Sequence, residues 1–231
     1  MKITNKRIVL LSLLFCLKSV LCDSAFSQKK TKVINDFESW SSIGLTYKPI
    51  KKLTLGVEQN LRLKENSSTI EKYFTQLGAD YKLFKNFEIG LGYRFVRTQD
   101  ENYLPESNYE NSDRFNLDAS YNNCVKRFSY GIRSRYQLKK DDISSTETLR
   151  FKSEIGYNFK KWKLDPEFSG EIFYRTDDSF NNYRFTLSTN IDIDKQSSVK
   201  LFVLYENELN EQFPKSTYVA GFSFTHRLKF K

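Results

Sequence analysis

Apolar and polar side chains alternate along almost the whole chain. Residues 87–95 read Phe-Glu-Ile-Gly-Leu-Gly-Tyr-Arg-Phe, apolar at each odd position and polar or glycine at each even one. Successive side chains on a strand point to opposite faces, so a period of two predicts a sheet with one greasy and one polar face. The pattern recurs as far as residue 230 and predicts eleven candidate strands. Their apolar sets begin with Ile43, Leu45 and Tyr47. They continue through runs such as Phe128, Tyr130, Ile132, Tyr136, Leu138, and end with Tyr218, Ala220, Phe222, Phe224, Leu228 and Phe230. Each run is about 10 to 13 residues, enough for a tilted strand to cross a bilayer. Pro166 has no N–H to donate, so its strand needs a bulge or an end there.

The connections alternate in length. Short ones fall at 48–52, 82–86, 123–127, 160–163 and 194–198, and longer ones at 65–70, 99–113, 139–147, 175–182 and 207–217. This is the habit of outer-membrane barrels, with short periplasmic turns and longer external loops. It places the last strand's end in the periplasm and the 99–113 loop outside. The predicted fold is all-β, an antiparallel up-and-down transmembrane β-barrel of about twelve strands, within a range of ten to twelve. Single-chain bacterial barrels are even-numbered, and eleven strands would start the first one on the outside. Residues 28–38 are therefore expected either to supply a twelfth strand or to thread the lumen.

The bulk numbers refine this. Lys2, Lys6 and Arg7 precede a short apolar run, Ile8 to Leu17, and Ala25-Phe26-Ser27 offers a cleavage site. Residues 1–27 thus read as a secretory signal and 28–231 as the barrel domain. A lipoprotein signal at Cys22 fits less well, because Leu21 occupies a position that wants a small residue. Mean hydropathy is −0.59, a soluble-looking value that barrels share because half of each strand faces water. Aromatic residues make up 16% of the chain and suit the water–lipid boundary. Cys16 and Cys22 fall within the signal, and Cys124 stands alone after it, which excludes a disulfide framework or a cysteine zinc site in the mature chain.

The charges sort by position. The short turns carry Lys48, Lys51, Lys52, Lys82, Lys85, Lys126, Arg127, Lys160, Lys161, Lys163 and Lys195. The long loops carry Glu65, Asp100, Glu101, Glu106, Glu110, Asp141, Asp142, Asp177, Asp178 and Glu211. Outer-membrane lipid and lipopolysaccharide are the expected partners of such a surface. On the inward faces the pattern places Arg62, Arg94, Arg114, Arg133, Arg135, Arg150, Arg175 and Arg184, mostly in the outer half. Among the inward acids are Glu58, Glu154, Glu167 and Glu171. Buried charges must pair, so one reading is an ion-pair plug. The other is an arginine-lined vestibule for a small anionic solute, since guanidinium forks suit carboxylate and phosphate.

Catalytic signatures are sparse. His226 is the sole histidine. It falls on the lipid-facing set, with Phe224 and Leu228 rather than a serine beside it. No Gly-x-Ser-x-Gly, phosphate loop or dinucleotide fingerprint occurs, and no metal site or cofactor is expected. Nucleic acid is rejected because the aromatics are expected on the greasy face, away from the arginines.

Short motifs then accumulate. Trp40 opens the first strand, and the Glu58-to-Arg62 run ends Leu-Arg. Tyr93-Arg94, Arg133-x-Arg135-x-Gln137, Leu149-Arg150, Pro166 with Glu171, and Asn182-Tyr183-Arg184 follow. In this order the chain resembles Domain of Unknown Function 2490, a family of Gram-negative outer-membrane barrels, over roughly residues 37 to 228. The resemblance implies a barrel in the cell outer membrane and no activity, since none is assigned to the family. It also implies that the inward arginines and Pro166 belong to the family's pattern. The functional expectation is a non-enzymatic, porin-like barrel, either a narrow anion-favouring channel or a surface binding or structural protein. The alternatives are an outer-membrane lipid-modifying enzyme working through His226, and a soluble periplasmic ligand-binding barrel with its apolar sets turned inward.

Overall fold

The computed structural model describes residues 33–99, 109–141, 144–159, 164–176 and 180–229. The expected signal at 1–27 lies outside these residues, as do Lys160, Lys161 and Lys163 and the loop acids Asp100, Glu101, Glu106, Asp142, Asp177 and Asp178. Within the described residues the alternating pattern becomes β1 (Ile34–Ile50), β2 (Leu53–Lys64), β3 (Thr69–Lys82), β4 (Phe87–Gln99), β5 (Tyr109–Val125) and β6 (Phe128–Lys140). Then follow β7 (Ser145–Tyr157), β8 (Asp165–Arg175), β9 (Phe180–Asp192), β10 (Ser197–Glu208) and β11 (Lys215–Leu228). Each strand pairs antiparallel with the next, and β1 closes on β11. Pro166 stands second in β8, at a strand end where a missing N–H costs least.

Closure answers the parity question without a twelfth strand. In a meander, neighbours alternate in direction, so the first and last of an odd set point the same way. Accordingly β1 and β11 pair parallel, from Ile34↔Lys215 to Tyr47↔Leu228. Residues 34–38, expected as part of an extra strand or a lumenal thread, are instead the start of β1. Two interactions hold them there. Lys215 Nζ lies 3.0 Å from Asp36 Oδ2 and 2.9 Å from Glu38 Oε1 across the seam. Asp36 also accepts the backbone N–H groups of Glu65 and Asn66 from the β2–β3 turn. That turn carries three consecutive left-handed residues, Glu65, Asn66 and Ser67, at φ 53, 56 and 64. Non-glycine residues adopt this conformation only where their surroundings hold them.

The apolar sets face outward. Leu91 is 64% exposed and Ile132 59%, and Ile43, Leu77, Leu117, Ile155 and Val203 belong to the same exposed band. A soluble ligand-binding barrel would have required the reverse. Above the band lies an aromatic belt with Tyr183–Tyr205 and Tyr205–Tyr218 contacts at 6.1 and 5.1 Å. Below it lies another, with Phe128–Tyr157 at 4.9 Å and Tyr157–Phe159 at 4.7 Å. Two aromatic girdles flanking an apolar band are what a lipid bilayer selects on a barrel exterior.

Candidate functional site in the barrel lumen

The inward positions converge on one layer in the outer half of the lumen. Trp40 on β1 stands directly opposite Arg62 on β2 and, on its other side, Gly221 on β11. Gly221 makes room: a Cβ there would fall 2.3 Å from Phe202 Cζ and 2.5 Å from the Trp40 carbonyl oxygen. The Arg62 guanidinium carbon sits 3.5 Å from the Trp40 ring centroid and 5.2 Å from that of Phe74. Arg94 lies 4.1 Å from the Phe74 centroid. Across the lumen, Phe173 receives Arg150 at 4.5 Å and Arg184 at 5.0 Å. Arg184 also reaches Trp40, at 5.4 Å. Phe74 and Val96 are 2% and 1% exposed, so side chains fill the barrel here. Cation–π contacts in such desolvated places are worth about 2 kcal/mol each.

The expectation that aromatics would stay on the greasy face, apart from the arginines, is corrected by Trp40, Phe74 and Phe173. All three occupy positions of inward parity. The argument raised against nucleic acid on that ground falls with it.

Several arginines share carboxylates. Glu171, 6% exposed, accepts Arg133 Nη2 at 3.1 Å and Arg150 Nε at 3.2 Å, and Arg184 Nη1 lies 3.7 Å away. Arg184 Nε donates to Glu206 Oε2 at 2.8 Å, and Asn182 donates to the other oxygen of Glu206. Arg135 grips Asp118 with both sides of its fork, at 2.6 and 2.8 Å. Lower down, Lys152 pairs with Glu154 and Lys200 with Glu167. Glu58 accepts only the Asn60 amide among the described residues. Arg175 stands at the last position of β8. Neither Glu71 nor Glu206 is among the inward acids expected from the sequence. Glu71 sits at the bulge beside Arg62/Leu63, where strict parity breaks. Glu206 follows the outward Tyr205 with inward parity, at the edge of the 207–217 connection, and β10 extends past it to Glu208.

Arg62, Arg94 and Arg114 differ from the others. Among the described residues none of them forms an ion pair. Arg94 donates through Nε to the neutral amide oxygen of Gln76 at 3.0 Å. The Nε atoms of Arg62 and Arg114 are buried and have no hydrogen-bond partner. Just inside this layer a polar cavity of about 300 Å³ is lined by Gln76, Asp80, Glu88, Asn116, Asp118 and Arg133, among others.

His226 lies where its parity put it, but it has a serine after all. Ser197, its direct partner across β10 and β11, places Oγ 3.0 Å from His226 Nδ1. The same hydroxyl lies 3.0 Å from Asp194 Oδ2. The order is acid, serine, imidazole, whereas a hydrolase triad needs the acid on the imidazole so that the imidazole can act as base. Asp194 also takes the N–H groups of Gln196 and Ser197 at 2.6 and 2.8 Å, so this cluster caps the β9–β10 turn. Among the described residues no group of three or more His, Cys, Asp or Glu side chains is placed to hold a metal ion.

A family model described as "Protein of unknown function (DUF2490)" matches residues 37–217. The chain belongs to the DUF2490 family. The match runs from β1 into β11 and takes in every lumenal arginine, carboxylate and aromatic residue described above, though not Gly221. No curated protein matches the chain. Among solved structures the chain is similar to a KdgM porin, with 18% identity and a TM-score of 0.43 over 72% of this chain and 86% of that one. It is also similar to an anion-selective porin from Comamonas acidovorans, with 10% identity and a TM-score of 0.36 over 73% of this chain and 55% of that one.

Proposed function

We propose that this chain is a non-enzymatic barrel of the Gram-negative outer membrane whose lumen admits small anions in preference to cations. The exposed apolar band between two aromatic belts supports insertion into lipid, with outer-membrane lipid and lipopolysaccharide against the outer wall. The observation that carries the anion preference is the layer's cationic surplus. Glu171, Glu206 and Asp118 are each already engaged by arginine, and Arg62, Arg94 and Arg114 remain without a carboxylate partner among the described residues. A cation crossing this layer meets an electrostatic barrier, and an anion meets a well, in surroundings where screening is weak. The packed side chains make the path narrow, so conductance is low.

The test is a reversal-potential measurement on the purified barrel in planar bilayers under a potassium chloride gradient. Chloride preference is the expected result, and potassium preference overturns the reading.

A further inference from the structure

We infer that Arg62, Arg94 and Arg114 together form a binding site for a small, doubly charged oxyanion of the phosphate or sulfate class. The inference deepens the lumenal reading above, which supplies the ion's route, but binding itself needs no conduction.

The argument starts from register. Arg94 and Arg114 are direct cross-strand partners, and like charges so placed repel at close range. Another arginine pair, Arg135 opposite Arg150, is placed in the same way. There the repulsion is relieved, because Asp118 grips Arg135 and Glu171 grips Arg150. No described carboxylate does this for Arg94 and Arg114. Arg62 adds a third guanidinium within electrostatic reach of both. Glu71 lies within reach of Arg62 and Arg114 and keeps one oxygen unbonded, but its charge is matched by Lys72, to which its other oxygen is bonded, so the three guanidiniums remain in excess. A buried cation cluster with such a surplus is unfavourable, and its natural complement is an anion drawn from solution.

The available donors define the anion's chemistry. The guanidinium forks of Arg62 and Arg114 come from separate strands, β2 and β5, and no described group accepts from their buried Nε atoms. Arg94's fork is occupied on one edge by the Gln76 oxygen. A halide offers one centre and no lone-pair geometry to match guanidinium forks. A tetrahedral oxyanion offers several oxygens and accepts from forks arriving along different directions. Trp40 and Phe74 cover the other faces of Arg62 and Arg94 and hold the guanidiniums in place before any ion arrives.

Trp40 also supplies the readout. It and Trp162 are the chain's two tryptophans, so Trp162→Phe leaves a single reporter stacked on Arg62. The full-length barrel, refolded in detergent micelles, is titrated with inorganic phosphate at alkaline pH, and with sulfate, at constant ionic strength against chloride. The expected result is a saturable change in Trp40 emission with both oxyanions and none with chloride. Arg114→Gln leaves the Arg62–Trp40 stack intact and is expected to weaken the response about tenfold or more. Arg62→Gln gives the same loss, read by oxyanion-dependent thermal stabilisation. A response that is linear, shared by chloride, or retained in both variants overturns the site. A chloride-preferring channel without saturable phosphate binding sinks this inference alone, while saturable binding in a potassium-preferring channel sinks only the conduction reading.

Discussion

The Arg62 guanidinium carbon stands 3.5 Å from the centroid of the Trp40 indole, on the position directly opposite it across β1 and β2. Stacking of this kind gives a cation a partner without neutralising its charge. The arginine is fixed in place and still available to an anion. The two residues are expected to be energetically coupled. A double-mutant cycle of Trp40→Leu and Arg62→Gln, followed by urea unfolding in lipid vesicles, should give a coupling of about 2 kcal/mol. Additive effects would show that the stack contributes nothing.

Glu171 holds Arg133, Arg150 and Arg184 at once. Removing its charge leaves Arg133 and Arg150 uncompensated in a filled part of the lumen, while Arg184 keeps Glu206. Glu171→Gln should therefore destabilise the barrel by about 3–5 kcal/mol, seen as a lower urea midpoint. In folded channels it should also strengthen anion preference. Unchanged stability would mean that Arg133 and Arg150 find water instead.

The reversal experiment is the complement. Arg94→Glu combined with Arg133→Glu replaces two lumenal cations by acids. The reversal potential in a potassium chloride gradient should change sign. If selectivity is unmoved, ions do not pass this layer.

Leu91 tests the outside of the wall. It is 64% exposed near the middle of β4, and Leu91→Arg should cost about 2–4 kcal/mol in a bilayer-inserted barrel. An arginine there that leaves vesicle-refolded stability untouched would remove lipid from that face.

The β9–β10 turn carries a pH signature. The N–H groups of Gln196 and Ser197, then the Ser197 hydroxyl, hold the Asp194 carboxyl below its ordinary range. A depressed folded-state value means stability that is present above the unfolded-state value and lost as pH falls through the folded one. Asp194→Ala should therefore melt earlier than the parent at neutral pH, and the difference should close in acid. A gap that is constant across that range would show the carboxylate's charge to be irrelevant.

Much of the architecture was legible because a period of two is hard to mimic. The sets beginning at Ile43 and Phe87 face outward as alternation predicts, and Arg133, Arg150, Arg184 and Glu171 meet inside. Three features were harder to read, each for a physical reason. Trp40, Phe74 and Phe173 announce their inward facing by parity, but aromatic character favours the lipid side when parity is not followed strictly. Ser197 meets His226 only through the register of β10 on β11, which short-range pattern does not reveal. Residues 34–38 read as a separate element because barrels are expected to be even, whereas their pairing with Lys215 and its neighbours belongs to a parallel joint.

That joint has a mechanical consequence. Every other pair of neighbouring strands is linked by a connecting turn or loop, so a ruptured contact can reform at once. The edge where Ser42 donates to Ser223, 181 positions apart, has no such tether. It must be the last edge sealed when the cylinder assembles, and pulling on the wall from outside should split it along that line first.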